Sequence, residues 1–415
     1  MSKRRVVITG MGAITPIGLG VNEYWQGLVE GRNGIDLITR FDTTKFDTKF
    51  AGEVKNFNAE DYLDKKSIRR LDPFAQYALI TAIMAMEDSG LDLDGIDRDR
   101  FGVIYGSGIG GMKTLQEQHF LFFDGRDPHR ISPFFVPMMI SDIAAGQISI
   151  KYGLKGPNYA TTSACATASH AIADSFIMIQ RGSADLMVCG GSEAAITEIS
   201  IGGFNAMRAI STWNDRYKEA SRPFDKERNG FVMGEGAGTL VLEEYELAKA
   251  RGAKIHGEIV GVGLTGDAHH ITAPAPNGEG AYRSMKEALR DAGLKPEDID
   301  YINAHGTSTE LNDINETKAI KALFGAHANK LVISSTKSMT GHLLGAAGGI
   351  EAIATMLAIE NSVIPPTINL TNPDPECDLN YSPLKPTNKE IRYAISNTFG
   401  FGGHNASLLF KKFVN

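Results

Sequence analysis

The feature that most constrains the fold of this chain is an internal repeat. Asp88-Ser89-Gly90-Leu91 returns as Asp291-Ala292-Gly293-Leu294, and at the same separation Ile96-Asp97 returns as Ile299-Asp300. Each copy follows a helix-like stretch, Tyr77 to Glu87 in the first and Ala281 to Arg290 in the second. Each then enters a strand that ends among small residues, Val103-Ile104-Tyr105-Gly106-Ser107 and Tyr301-Ile302-Asn303-Ala304-His305-Gly306-Thr307. One short match could be accidental. A second at the same offset, in the same helix–strand context, is hard to obtain by chance. Strands alternating with helices, twice over, predict two α/β halves with central sheets. We place them at residues 1–254 and 255–415, with no low-complexity linker between, so that they pack as one body.

The bulk numbers exclude several functions. The chain has 415 residues, 42% hydrophobic and 22% charged, which is ordinary for a globular protein with more than one core. Lys and Arg number 42 against 49 Asp and Glu, a net charge of −7, so no global attraction to nucleic acid is expected. Three cysteines, Cys165, Cys189 and Cys377, are too few for a disulfide framework and fit a reducing compartment. No Cys-x-x-Cys or His-x-x-x-His pair is present, so the spacing predicts no metal site. The start, Met1-Ser2-Lys3-Arg4-Arg5, runs straight into a strand-like segment, and no apolar run approaches ~18 residues. The expectation is a cytoplasmic protein without a membrane span. Arg5 to Gly12 reads as a buried strand ending in a glycine turn. Gly10-Met11-Gly12 superficially matches a dinucleotide fingerprint, but Thr15 stands where its third glycine belongs and Pro16 follows; no cofactor is expected.

One cysteine carries the chemistry. Cys165 lies in the small-residue run Thr162-Ser163-Ala164-Cys165-Ala166-Thr167-Ala168, and the residues after it are compatible with a helix. At a helix N-terminus the macrodipole and free amides favour thiolate over thiol. Those amides could also donate to a substrate carbonyl oxygen. Far downstream, His305 and His342 each abut a glycine after an apolar stretch. Two histidines around one nucleophile point to carbon–carbon bond chemistry more than to simple hydrolysis. Cys189, within an apolar strand, reads as a buried hydrophobe. His170 reads as a packed or hydrogen-bonded histidine, while His269, His270 and His404 flank loops that could line an entrance.

These motifs carry a resemblance that covers essentially the whole chain. The Cys165 segment, Asn303-Ala304-His305-Gly306-Thr307-Ser308-Thr309, Lys337, Gly341-His342 and the turn Gly400-Phe401-Gly402-Gly403 together resemble the β-ketoacyl-acyl-carrier-protein synthases of the thiolase superfamily, in their elongating, synthase II-like branch. The resemblance implies the duplicated five-layer α-β-α-β-α thiolase-like fold, a homodimer, and no cofactor. It implies that Cys165 takes an acyl chain from acyl carrier protein and that His305 and His342 hold the malonyl thioester oxygen, assisting decarboxylation and Claisen condensation. Lys337 matches an active-site lysine and Glu351 its carboxylate partner, an electrostatic scaffold. The Phe401 amide matches a second oxyanion donor, and its ring, among glycines, is free to swing. His404 departs from the threonine that many relatives carry.

The same resemblance assigns an acyl tunnel to Ile109, Phe134, Phe135, Val136 and Phe204, with Phe401 at its entry. An isoleucine at position 109 favours the synthase II branch. It assigns carrier-protein docking to the basic run Lys65, Lys66, Arg69 and Arg70 and to Arg208, because acyl carrier proteins are acidic. Nucleic acid is a weak rival for so short a run without aromatic residues. A polyketide or aryl-polyene ketosynthase shares every motif. A non-catalytic chain-length-factor-like partner would lack the nucleophile. A thiolase or initiating synthase would carry other residues in place of His342 or Phe401.

Overall fold

The computed structural model describes residues 3–414. Its main sheet runs through ten strands: β1 (Val6–Thr15), β2 (Phe101–Gly106), β3 (Asn158–Tyr159), β4 (Leu186–Glu193), β5 (Gly236–Glu244), β6 (Gly257–Gly266), β7 (Tyr301–Asn303), β8 (Val332–Ser334), β9 (Tyr393–Gly400) and β10 (His404–Lys412). A short strand at Gly18–Leu19 hairpins onto β1. The spatial order is β8-β7-β9-β10-β6-β1-β5-β4-β2-β3. Read outward from the centre, both halves have the same order: β1-β5-β4-β2-β3 and β6-β10-β9-β7-β8. In each, the successive pairings are antiparallel, antiparallel, parallel and parallel. The two sets meet where Val6 to Ile8 pair antiparallel with Gly257 to Ile259.

Six helices complete the layers: α1 (Pro73–Ser89), α2 (Ile143–Tyr152), α3 (Thr167–Gln180), α4 (Glu279–Ala292), α5 (Glu310–Phe324) and α6 (Ala347–Asn361). Helices α1 and α2 cover the outer face of the first set of strands, and α4 covers that of the second with α5 beside it. Between the two sets lie α3 and α6, which touch strands of both. The result is the expected α-β-α-β-α stack. Sequence follows position. Helix α6 is buried on every side from Ala347 to Ile359, as a central helix must be. Helix α4 buries Ala281, Ser284, Met285, Ala288 and Leu289 along one stripe.

The repeated Asp-x-Gly-Leu does the same work in both halves. Gly90 (φ 60°) and Gly293 (φ 69°) are left-handed C-caps of α1 and α4. Asp88 accepts the Met11 amide of β1 at 2.9 Å, and Asp291 accepts the Val262 amide of β6 at 3.1 Å. Met11 and Val262 sit at the centres of matching Gly-x-Gly segments. A Cβ on Gly10 or Gly12 would come within 2.1 Å of an α1 carbonyl oxygen, that of Ala85 or Thr81. A Cβ on Gly261 or Gly263 would come within 2.5 or 1.9 Å of an α4 carbonyl oxygen, that of Ala288 or Ser284. The glycine turn expected after Ile8 is therefore absent. Strand β1 continues through it to Thr15, and the glycines serve helix packing.

This packing sets a test with two signs. Gly263→Ala should destabilise the protein by about 1–3 kcal/mol, because the methyl has no room. Gly146→Ala, within α2 and with nothing within 4 Å of the new methyl, should be neutral or stabilise by up to ~1 kcal/mol. Thermal melting of both variants decides it; shifts of the same sign and size would contradict the close-approach reading.

Candidate active site

Helices α3 and α6 are each entered by a tight turn, Ala164–Ala166 and Leu344–Ala346. Each turn begins on a non-glycine residue in the left-handed region, Ala164 at φ 51° and Leu344 at φ 48°. Such backbone costs energy and persists where the surroundings fix it. Cys165 and Gly345 are thus equivalent positions of the two halves. Cys165 lies in the turn ahead of α3, whose first residue is Thr167, and not in the helix proper. The helices pack almost backbone to backbone. A Cβ on Gly348 of α6 would lie 2.1 Å from Ser169 Oγ of α3, and one on Gly238 of β5 would lie 2.4 Å from the Gly349 carbonyl carbon.

Two loops bring the histidines to Cys165. His305 follows β7, and its amide and that of Gly306 donate to buried Glu316 on α5 at 2.9 and 2.8 Å. Asn397 adds a third donor to Glu316 at 3.2 Å. His342 follows Gly341 (φ 71°), and its amide donates to the Val232 carbonyl at 2.7 Å. Cys165 Sγ and one ring nitrogen of each histidine all lie within 4.8 Å of one another. The two imidazoles stand edge to face, centroids 5.3 Å apart at 84°. All three residues are buried. Nδ1 of His305 and both ring nitrogens of His342 are buried without a hydrogen-bond partner. A folded protein rarely leaves such atoms unpaired unless something else binds them.

Electrostatics define the resting state. Burial, and then the Lys337 ammonium, hold His305 and His342 well below the ordinary imidazole value, so both are neutral near pH 7. Burial pushes the Cys165 thiol up to about 11, opposed by Lys337 and by the Phe401 amide, which is directed at the sulfur. A helix dipole contributes about 0.3–1 kcal/mol at an exposed site and up to ~2 kcal/mol at a partly buried one, and here it works against the burial of the thiol. Burial wins, and the resting cysteine is a thiol where the helix terminus had predicted a favoured thiolate. Lys337 forms a buried ion pair with Glu351 of α6. Burial raises the Glu351 carboxyl, and Lys337 pulls it back. A thiol and two imidazoles form a donor set that would admit a soft cation, but the Lys337 ammonium sets positive charge against one.

The three groups line a cavity of about 720 Å³, together with Ile109, Phe204, Arg208 and Phe401. Among the residues expected at the site, Lys337 and Glu351 stand behind the cavity wall, not on it. Phe134 and Phe135 are not in the cavity: Phe134 lies on the surface, with the Arg70 guanidinium 4.7 Å from its ring centre. Val136 is exposed as well. Lys65, Lys66, Arg69 and Arg70 are exposed, and Lys65 faces Glu60 at 3.5 Å. His269, His270 and His404 do not line the cavity; Asp267 and Thr272 of the adjoining loop do. His170 is hydrogen-bonded, Nδ1 to Ser163 Oγ at 2.6 Å, and Cys189 is fully buried. Two carboxylates were not singled out from sequence, Glu316 and Glu193. A lone acidic residue at a strand or helix position carries no signal of the loop amides it will meet.

Comparison with known proteins agrees with this geometry. Residues 3–248 match the model of the β-ketoacyl synthase N-terminal domain, and residues 256–371 that of the C-terminal domain. The chain is 55% identical over 413 residues to a 3-oxoacyl-[acyl-carrier-protein] synthase 2 of Synechocystis sp., covering 100% of this chain and 99% of that protein. It is 57% identical over 410 residues to a protein of the same name from Staphylococcus aureus, covering 99% of each. Among solved structures, a ketosynthase of a type II PKS, in complex with its acyl-carrier protein, superposes with a TM-score of 0.92 at 35% identity over the full length of both chains. A cysteine and two histidines in this duplicated frame, with full-length relatives more than half identical, leave one assignment: the chain belongs to the β-ketoacyl synthase family.

Proposed function

We infer that the chain elongates fatty acids by decarboxylative Claisen condensation, joining an acyl group on Cys165 to malonyl-acyl-carrier protein to give 3-oxoacyl-acyl-carrier protein. The observation that carries this is a buried thiol facing two neutral imidazoles with unpaired nitrogens at one cavity. The Cys165 sulfur attacks the acyl thioester; the S–C bond to the enzyme forms, the bond to the carrier breaks, and the thiol proton leaves on the carrier thiol. The Cys165 and Phe401 amides suit the oxyanion of that step. Malonyl thioester then enters with its carbonyl oxygen toward the imidazoles. Loss of CO₂ leaves an enolate whose oxygen they stabilise as neutral donors, and a carboxylate in either place would repel it. The enolate carbon attacks the acyl carbonyl, the C–S bond breaks, and Cys165 leaves as a thiolate that takes up a proton from solvent to restore the thiol.

Lys337 acts electrostatically, keeping the imidazoles neutral and opposing the rise in the thiol. The relatives above half identity carry the synthase 2 name, whereas the polyketide ketosynthase is 35% identical, which favours fatty-acid elongation over a polyketide or aryl-polyene role. A non-catalytic chain-length-factor-like role is disfavoured by Cys165 at an open cavity. The carrier protein docks, in this proposal, at the cavity mouth, where exposed Arg208 stands beside exposed Met207 and Leu311, with Lys65, Lys66, Arg69 and Arg70 extending the basic surface. Acyl-carrier protein bound to the related ketosynthase supports that partner. A second copy of the chain covers the exposed side chains Phe120, Phe123, Phe134 and Val136, which stand on two neighbouring segments, making a homodimer. The division at 254/255 is supported by the repeated strand order. A cytoplasmic location is supported by the free cysteines and by the lack of any helix, among the described residues, long and apolar enough to cross a membrane.

Two experiments test this reading. His305→Ala and His342→Ala should keep measurable self-acylation of Cys165 but lose malonyl decarboxylation and condensation by about 10²-fold or more. Condensation at the wild-type rate in both would overturn the two-histidine mechanism. Because the folded thiol titrates above its ordinary value, thiolate is scarce at pH 7. Iodoacetamide alkylation of Cys165 should rise about tenfold per pH unit from 7 to 10. A plateau by pH 8 would show a depressed thiol instead.

A further inference from the structure

Glu193, the last residue of β4, is a fully buried carboxylate with no cationic partner among the described residues. Four neutral donors from two loops converge on it. Its Oε2 accepts the Gly108 amide at 2.9 Å and the Gly345 amide at 3.0 Å. Its Oε1 accepts Ser107 Oγ at 3.0 Å and the Ile109 amide at 3.3 Å. Ser107 Oγ in turn accepts the Gly110 amide at 2.9 Å. One oxygen thus joins the loop that places Ile109 in the cavity to the turn that follows His342. The loops touch through glycines: a Cβ on Gly345 would lie 2.3 Å from the Gly108 nitrogen, and one on Gly108 would lie 3.4 Å from the Ala164 carbonyl beside Cys165. Ile109 and Leu344 share one apolar cluster with Phe204 and Phe231, and Phe231 packs on the His342 ring at 5.4 Å.

We propose that Glu193 is a positioning residue that locks the Ile109 loop to the His342–Gly345 segment, so that acyl-chain selection and malonyl decarboxylation depend on one shared carboxylate. This rests on the condensation reading above and adds a residue to it. An ion pair would hold one loop to one cation; an acceptor-only carboxylate can hold amides from both at once. Burying a charge among neutral donors is unfavourable, and burial pushes the Glu193 carboxyl up to about 7 against its four bonds. A residue kept at that cost has a task the fold alone does not set. When ionised it also opposes thiolate at Cys165, whereas Lys337 favours it.

Glu193→Gln isolates the effect. In Glu193→Gln an NH₂ group placed at the Oε2 side faces the Gly108 and Gly345 amides, and one placed at the Oε1 side faces the Ile109 amide and a Ser107 hydroxyl that must turn to accept, while side-chain volume is kept. In Glu193→Gln, acylation by long carrier-linked chains should fall about 10- to 100-fold with short chains spared, and decarboxylation of malonyl-acyl-carrier protein should fall about tenfold. Iodoacetamide alkylation of Cys165 should not fall, because the opposing charge is gone. Loss of one half-reaction alone would overturn the coupling. A uniform loss across chain lengths together with slowed alkylation would reduce Glu193 to a structural residue, and wild-type behaviour in all three assays would leave it no role. A wild-type protein that neither acylates Cys165 nor decarboxylates malonyl carrier would overturn the condensation reading itself, a result distinct from any of these.

Discussion

The active site depends on α3 and α6 crossing with almost nothing between their backbones. Gly348 against Ser169 leaves no room for a side chain between the two helices, and Gly349 against Gly238 leaves none between α6 and β5. That contact sets the two helix-entry turns side by side at the centre of the molecule. Each turn is held in a left-handed start, so each presents its second residue, Cys165 or Gly345, toward the same place. Everything else at the site is arranged around that meeting, including the cavity, the two histidine loops and the Lys337–Glu351 pair that lies behind them.

Duplication supplied the frame, and divergence within it supplied the chemistry. The turn that carries Cys165 in the first half carries Gly345 in the second, where the amide donates to the buried Glu193 carboxylate instead. The loop after β2 places Ile109 in the cavity, and the corresponding loop after β7 places His305 there. Each loop has its amides gathered by one buried carboxylate, Glu193 or Glu316. A symmetrical scaffold therefore holds an asymmetrical site, with Cys165, His305 and Ile109 presented at one cavity from turns and loops that recur in both halves.

Much of this was legible in the sequence because the repeat was written in residues with backbone duties. Asp88 and Asp291 bond strand amides and Gly90 and Gly293 cap helices, so their types could not drift freely. The same logic was missed for Gly10-Met11-Gly12. Read alone it looked like a turn; beside Gly261-Val262-Gly263 it is a helix-packing surface repeated in both halves. Cys165, His305 and His342 were visible because their neighbours are small. The resemblance puts Phe134 and Phe135 in the tunnel, yet within one chain neither lines the cavity, and Phe134 is exposed. Glu193 and Glu316 were invisible because their partners are main-chain amides, which no residue type announces. At Cys165 two effects oppose each other: a helix dipole can be read from sequence, but the depth of burial that works against it cannot.

The most direct measurement is a rapid-quench intact-mass and peptide-mapping experiment with purified protein. Incubation with acyl-acyl-carrier protein should add one acyl mass, confined to the peptide containing Cys165. Addition of malonyl-acyl-carrier protein should remove that mass as 3-oxoacyl-acyl-carrier protein appears in equal amount. Acyl label on Cys189 or Cys377, or label on Cys165 that persists while product forms, would contradict a condensation that runs through this thiol.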